Sequence, residues 1–189
     1  MLGKTLKVEY RRKREHKTNY YKRLKLLKSR KPRLVVRIFS RHIITQVVEY
    51  QPTGDRVIVD FNSVKLREFG WKYSCKNIPA AYLTGVVIAK LALKHRVKQV
   101  IADFGFHPAV KGSRLFAVVK GAFDAGLNIA VGESMFPNEE RLKGQHIESY
   151  LKQGNFASKY QFSRFKKASS LLADFEKIKQ RIMKNEKGK

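Results

Sequence analysis

Within 189 residues the chain sets 41 lysines and arginines against 15 aspartates and glutamates, a formal net charge of +26 and a pI near 10.4. A hydrophobic fraction of 43% excludes wholesale disorder, and the length suits one domain with a real core plus extensions. Charge of this size and sign makes a phosphate-rich polyanion the first partner to test, and the single cysteine, Cys75, excludes an internal disulfide and a cysteine-based zinc site.

The charge is unevenly placed. Sixteen of the bases fall in residues 1–41 against only Glu9 and Glu15, and ten more fall in residues 155–189 against three acids. An ordinary middle therefore lies between two basic ends: an arm with a short helix (1–32), a mixed α/β domain (33–152) and a basic helical extension (153–189). No secretory-type apolar region opens the chain. The longest apolar run, Ile78 to Leu93, is interrupted by Pro79 and Lys90 and is shorter than the ~20 residues of a membrane span. A soluble intracellular protein in a reducing compartment is expected.

In chain order, residues 1–17 carry like charges and no apolar periodicity, which predicts an arm that is unfolded alone and orders on its partner. Thr18 is placed to cap a helix running to about Lys28, with Tyr20 or Tyr21, Leu24 and Leu27 on its packing face. Pro32 ends it. Three Val- and Ile-rich segments, Arg33 to Phe39, His42 to Tyr50 and Arg56 to Phe61, read as an antiparallel meander with turns at Ser40-Arg41 and Gln51 to Asp55. Arg33, Arg37 and Arg41 recur every four residues and share a strand face with Val35 and Phe39. That face is read equally well as an RNA-facing surface or as a solvated sheet edge.

A connector over residues 62–78 leads to a helix capped by Asn77, with Pro79 in its first turn. Its run Ala80 to Leu93 is apolar nearly all round, and Ala81, Gly85 and Ala89 permit close backbone approach. Val97 to Ala102 is a short strand ending at Asp103, and Phe104 to Gly112 is a loop. Ser113 caps the next helix, which carries its own small-residue side (Ala117, Gly121, Ala125) and ends at Gly126. Leu127 to Val131 is a strand, Gly132 to Pro137 a loop, and Asn138 or Glu139 opens a helix running through Gly144 to Leu151. Gln153 to Ala157 is a linker. The last helix, Ser163 to about Lys184, has an apolar stripe of Phe165, Ala168, Leu172, Phe175 and Ile182. The order βββ-α-β-α-β-α predicts a single mixed α/β sheet, a meander plus parallel strands, with packed helices.

The chemistry-bearing motifs are few. Asp103-Phe104-Gly105 matches the metal-binding triplet of protein kinases but lacks the Gly-rich loop and catalytic loop that would give it meaning. Lys111, Gly112, Ser113 and Arg114 surround a helix N-terminus, where unpaired backbone donors favour an anion; a plainly capped structural helix explains them equally well. His16, His42, His95, His107 and His146 contain no i,i+4 pair, so no metal site is expected, and no cofactor motif is present. A magnesium-dependent nuclease of ribonuclease-H-like order would need converging carboxylates, for which Asp60, Asp103, Asp124 and Glu148 are the candidates. The first strand has arginine where such an enzyme needs a ligand.

Four stretches are specific enough to name a family: RRKREHKTNYYKRLKLLKSRKPRLVVR (Arg11 to Arg37), NIPAAYLTGVVIAK (Asn77 to Lys90), GSRLFAVVKGAFDAGL (Gly112 to Leu127) and GQHIESY (Gly144 to Tyr150). With the hairpin RHIITQVVEY they resemble the universal large-subunit ribosomal protein that binds 5S rRNA, number eighteen in the bacterial scheme and five in the eukaryotic, in an archaeal-like form. The resemblance implies a non-enzymatic role on the cytoplasmic ribosome: docking 5S rRNA into the central protuberance, beside 23S rRNA and the neighbouring 5S-binding ribosomal protein. Carried over by position, Arg11, Arg12, Arg14, Lys17, Tyr20, Tyr21, Arg23 and Lys25 of the arm would face RNA. Arg33, Arg37, Arg41 and His42 of the hairpin would do so too, with Lys111, Gly112, Ser113 and Arg114. A non-specific basic RNA- or DNA-binding module is the bland alternative.

Overall fold

The computed structural model describes residues 8–152 and 170–184. The linker Gln153 to Ala157 and the first part of the last helix, with Phe165 and Ala168, lie outside the described residues.

Five strands form one sheet in the order β3-β2-β1-β4-β5. β1 (Arg33–Ile38), β2 (Ile43–Glu49) and β3 (Arg56–Asn62) are the antiparallel meander, and β4 (Gln99–Asp103) and β5 (Asn128–Ile129) continue it in parallel beside β1. This is the mixed α/β sheet that the element order predicts. Alternation divides β1 between two faces. Leu34 and Val36 are wholly buried on the inner face with Ile43, Val47 and Val100, whereas Arg33, Val35 and Arg37 point the other way. One irregularity re-aims a residue. Val47 pairs with Val59 but Val48 pairs with Val57, so Ile58 is the extra residue of a bulge and Val57 joins the outer face instead of the core.

Helices α3 (Ile78–Lys94) and α4 (Arg114–Asp124) cover the inner face. Asn77 caps α3 by accepting the Ala80 N–H at 2.9 Å, with Pro79 in the first turn where its missing donor costs nothing. The helices cross where each has a glycine. A Cβ on Gly85 would sit 2.0 Å from the Val118 carbonyl oxygen, and one on Gly121 would sit 2.1 Å from that of Tyr82. Backbone therefore packs on backbone, and the small-residue sides read from the sequence are the contact.

Elsewhere the structure corrects local expectations. Asn19, not Thr18, caps α2 (Tyr20–Leu27), accepting the Lys22 N–H at 3.0 Å, while Thr18 Oγ1 accepts from Arg12 Nε. The packing face of α2 is rotated: Tyr21 and Leu24 are exposed, and Tyr20, Arg23 and Leu26 turn inward. Within the arm, Arg11–Arg14 forms one exposed helical turn, α1, supported by an i,i+4 pair between Glu9 and Lys13. The connector contains a 3-10 helix, Ser63–Phe69, ended by left-handed Gly70. The helix predicted to run through Gly144 is broken there into α5 (Glu139–Lys143) and α6 (Gln145–Lys152), because Gly144 takes φ +85° and a Cβ would strike Leu171.

Helix α7 (Leu171–Lys184) is seated in the core rather than laid behind it. Leu171, Phe175, Ile178 and Ile182 are all buried in the same cluster as Trp71, Tyr82 and Val86, so Leu171 takes the place expected of Leu172. Tyr73 donates to Asp174 at 2.9 Å, and Lys90 Nζ donates to the Ile182 carbonyl at 3.0 Å, pinning both ends.

Candidate nucleic-acid interface

With helices on its inner side, the sheet presents its outer face to the basic arm. Between them lies a groove of about 440 Å³. Val35, Gln46, Val48 and Val57 form its floor with Arg33 and Arg37. Arg12, Lys17, Lys22 and Arg23 form the arm wall, and Phe106 and His107 of the loop after β4 form the other.

An ion-pair chain runs along the floor. Arg23 binds Asp55 with both Nη atoms, at 2.6 and 2.7 Å, which ties α2 to the β2–β3 turn. Arg33 donates to Asp55 at 2.5 Å and to Asp103 at 2.8 Å, and Arg37 reaches the other Asp103 oxygen at 3.3 Å and its carbonyl at 2.8 Å. Gly105 N–H closes onto Asp103 Oδ1 at 2.9 Å. The Arg23 guanidinium holds the Asp55 carboxyl below the usual carboxylate range, against a smaller opposing effect of burial, and Arg33 adds to it. Arg33 itself is only 3% exposed, and its Nε has no partner among the described residues. Of the side chains expected to face RNA, it is the one the fold withdraws from the surface.

The others are accessible to different degrees. Arg11 is exposed beside Glu15 at 3.6 Å, Lys17 meets Glu15 at 2.8 Å, and Arg14 is exposed. Tyr20 packs on Tyr10 with ring centres 5.3 Å apart. Tyr21 stands 69% exposed with the Lys25 ammonium 4.4 Å from its ring centre, a ready stacking platform. At the β1–β2 turn, exposed Arg41 adjoins His42, whose ring stacks on Phe39 at 4.9 Å and 19°.

The Lys111 to Arg114 segment is less open to an anion than its sequence suggests. Gly112 N–H donates to the Met135 carbonyl at 3.0 Å and Ser113 N–H to that of Val110 at 3.2 Å, so two backbone donors are already spent. Ser113 Oγ is buried without a hydrogen-bond partner among the described residues and caps nothing, whereas Lys111 is exposed and Arg114 half-buried. Sequence reasoning missed Asp55, which looked like a turn residue, and Phe106, an exposed aromatic in a segment read only as a loop. Phe106 had a legible signal, a large apolar side chain in a breaker-rich loop; Asp55 had none.

The four carboxylates considered for metal chemistry do not converge. Asp60 is exposed on the edge strand, Asp103 is held by two arginines, Asp124 accepts from Tyr82 and pairs with Lys120, both at 2.9 Å, and Glu148 of α6 accepts from Ser170. Among the described residues no group of three or more His, Cys, Asp or Glu side chains is placed to hold a metal ion. Nor is any described helix long and apolar enough to cross a membrane.

The sheet thus carries a groove lined by arginine and lysine side chains on one face and packed helices on the other. Residues 4–100 match the family described as ribosomal large subunit proteins 60S L5 and 50S L18. Over 188 residues the chain is 47% identical to the large ribosomal subunit protein uL18 of Thermofilum pendens, an archaeon, a match spanning 95% of this chain and 96% of that relative. The chain belongs to this family of large-subunit ribosomal proteins.

Proposed function

We propose that the chain binds 5S rRNA and helps dock it into the central protuberance of the large subunit, beside 23S rRNA and the neighbouring 5S-binding ribosomal protein. One observation carries the reading: the basic arm, the outer sheet face and the loop after β4 lie together around a single groove, opposite the helices that fill the core. Arg11, Arg12, Arg14 and Lys17 supply phosphate contacts from the arm, and Lys22 and Lys25 extend the same line. Tyr20, Tyr21 and the Phe39–His42 pair offer ring faces to unstacked bases, and Arg41, Lys111 and Arg114 add cationic side chains for further phosphates. Gly112 and Ser113 hold the backbone between Lys111 and Arg114 through their bonds to Met135 and Val110. The role is structural rather than catalytic, and the arm of residues 1–32 acts as a grip on the domain of residues 33–152.

Competition tests this reading. At matched salt, 5S rRNA should displace bound tRNA or duplex DNA at concentrations at least about tenfold below the reverse displacement. Equal competition by the three would identify a generic basic module, and cleavage of the RNA in magnesium would identify a nuclease.

A further inference from the structure

Two carboxylates sit in a groove otherwise built to attract phosphate. Asp55 and Asp103 cancel two of the three charges that Arg23, Arg33 and Arg37 bring to the floor, which by Coulomb's law alone weakens attraction for any polyanion. Their geometry has a second effect. Each guanidinium carries five N–H donors in a rigid plane; the part-exposed Arg23 and Arg37 use only two or three of them on these acids and the nearby carbonyls, leaving the rest oriented, while buried Arg33 links the two acids. Gly105 completes the arrangement. A Cβ there would lie 3.0 Å from Arg37 Cζ, so the missing side chain lets the guanidinium lie flat against the turn that Asp103 holds.

Resting on the reading of the groove as an RNA-binding surface, we propose that Asp55 and Asp103, joined through buried Arg33, are positioning residues: they fix the planes of Arg23 and Arg37 so that the groove recognises one folded ribonucleotide surface by shape, giving up part of its general attraction for phosphate. Free arginines bind any phosphate path. Arginines locked in one array fit only a path of matching shape, because folded RNA is read through backbone geometry as much as through bases.

The inference separates from simple charge because the two act in opposite directions. Asp55→Asn raises the net charge by one, so charge alone predicts equal or tighter binding to every nucleic acid. The positioning role predicts about tenfold weaker binding to 5S rRNA with binding to tRNA unchanged or tighter, measured by filter binding at one salt concentration on protein whose melting curve shows it folded. Asp55→Glu, which keeps the carboxylate, should recover part of the selectivity. Gly105→Ala changes no charge at all; by displacing Arg37 it should lower the 5S-to-tRNA ratio in the same direction. A folded Asp55→Asn protein with the native ratio, or a tighter grip on 5S rRNA, overturns the inference. Native protein that does not itself prefer 5S rRNA to tRNA overturns the functional reading, and the inference with it; a selective native protein beside an equally selective variant overturns the inference alone.

Discussion

Single side chains decide how rigid the groove is. Arg33 is a buried cation whose desolvation is offset only by two carboxylates contributed from 22 and 70 residues away. Removing one partner of such a buried pair typically costs about 3–5 kcal/mol, so Asp103→Asn should be severely destabilised, read as a lowered urea midpoint. Asp55 gives a pH signature of known sign. Its folded pKa lies below the unfolded value of about 3.9, so its contribution is complete above that value and is lost as pH falls through the folded one. With a quarter of its side chain open to solvent the effect is modest. The melting temperature of the native protein should therefore fall more between pH 6 and pH 3 than that of Asp55→Asn; parallel curves would contradict the assignment. The arginine period was legible because strands alternate with a period of two. Its acidic partners were not, since a turn aspartate carries no mark of a partner that only the folded sheet brings near.

At the scale of elements, helix contacts and helix ends depend on different amounts of information. The glycine crossing of α3 and α4 was readable from small residues spaced four apart, and it should be intolerant. Gly85→Ala or Gly121→Ala puts a methyl group within about 2 Å of a carbonyl oxygen, so each should lose on the order of 2 kcal/mol or more in chemical denaturation. A loss below about 0.5 kcal/mol would mean that the helices part easily. The break at Gly144 and the choice of Leu171 over Leu172 escaped the sequence for one reason: both are settled by where α7 lands, a contact between segments distant along the chain. Phe175 lies at that landing, with its ring 5.6 Å from that of Tyr82, so Phe175→Ala should cost about 3–5 kcal/mol. Within the arm, removing residues 1–17 should leave the melting temperature of the domain nearly unchanged while weakening RNA binding and flattening the dependence of log affinity on log salt. An unchanged slope would place the phosphate contacts elsewhere.

Across the whole molecule the division of labour is between two faces of one sheet. The class, one mixed sheet with a meander and parallel strands, followed from the succession of period-two and period-3.6 segments, whereas the order β3-β2-β1-β4-β5 came only with the structure. Which face would stay open was not legible: it required knowing that both crossover helices pack on the inner side and that the bulge at Ile58 turns Val57 outward. The open face is the one that carries Arg37 and the arm, and RNA is expected to lie there. Ultraviolet crosslinking of the protein to 5S rRNA, with the joined peptides identified by mass spectrometry, tests this most directly. Crosslinks are expected at Tyr21, at Phe39 or His42 and at Phe106, with none at Phe123 of α4, which is 43% exposed against 47% for Phe39. Crosslinks concentrated at Phe123, and absent from the arm and hairpin tip, would contradict it.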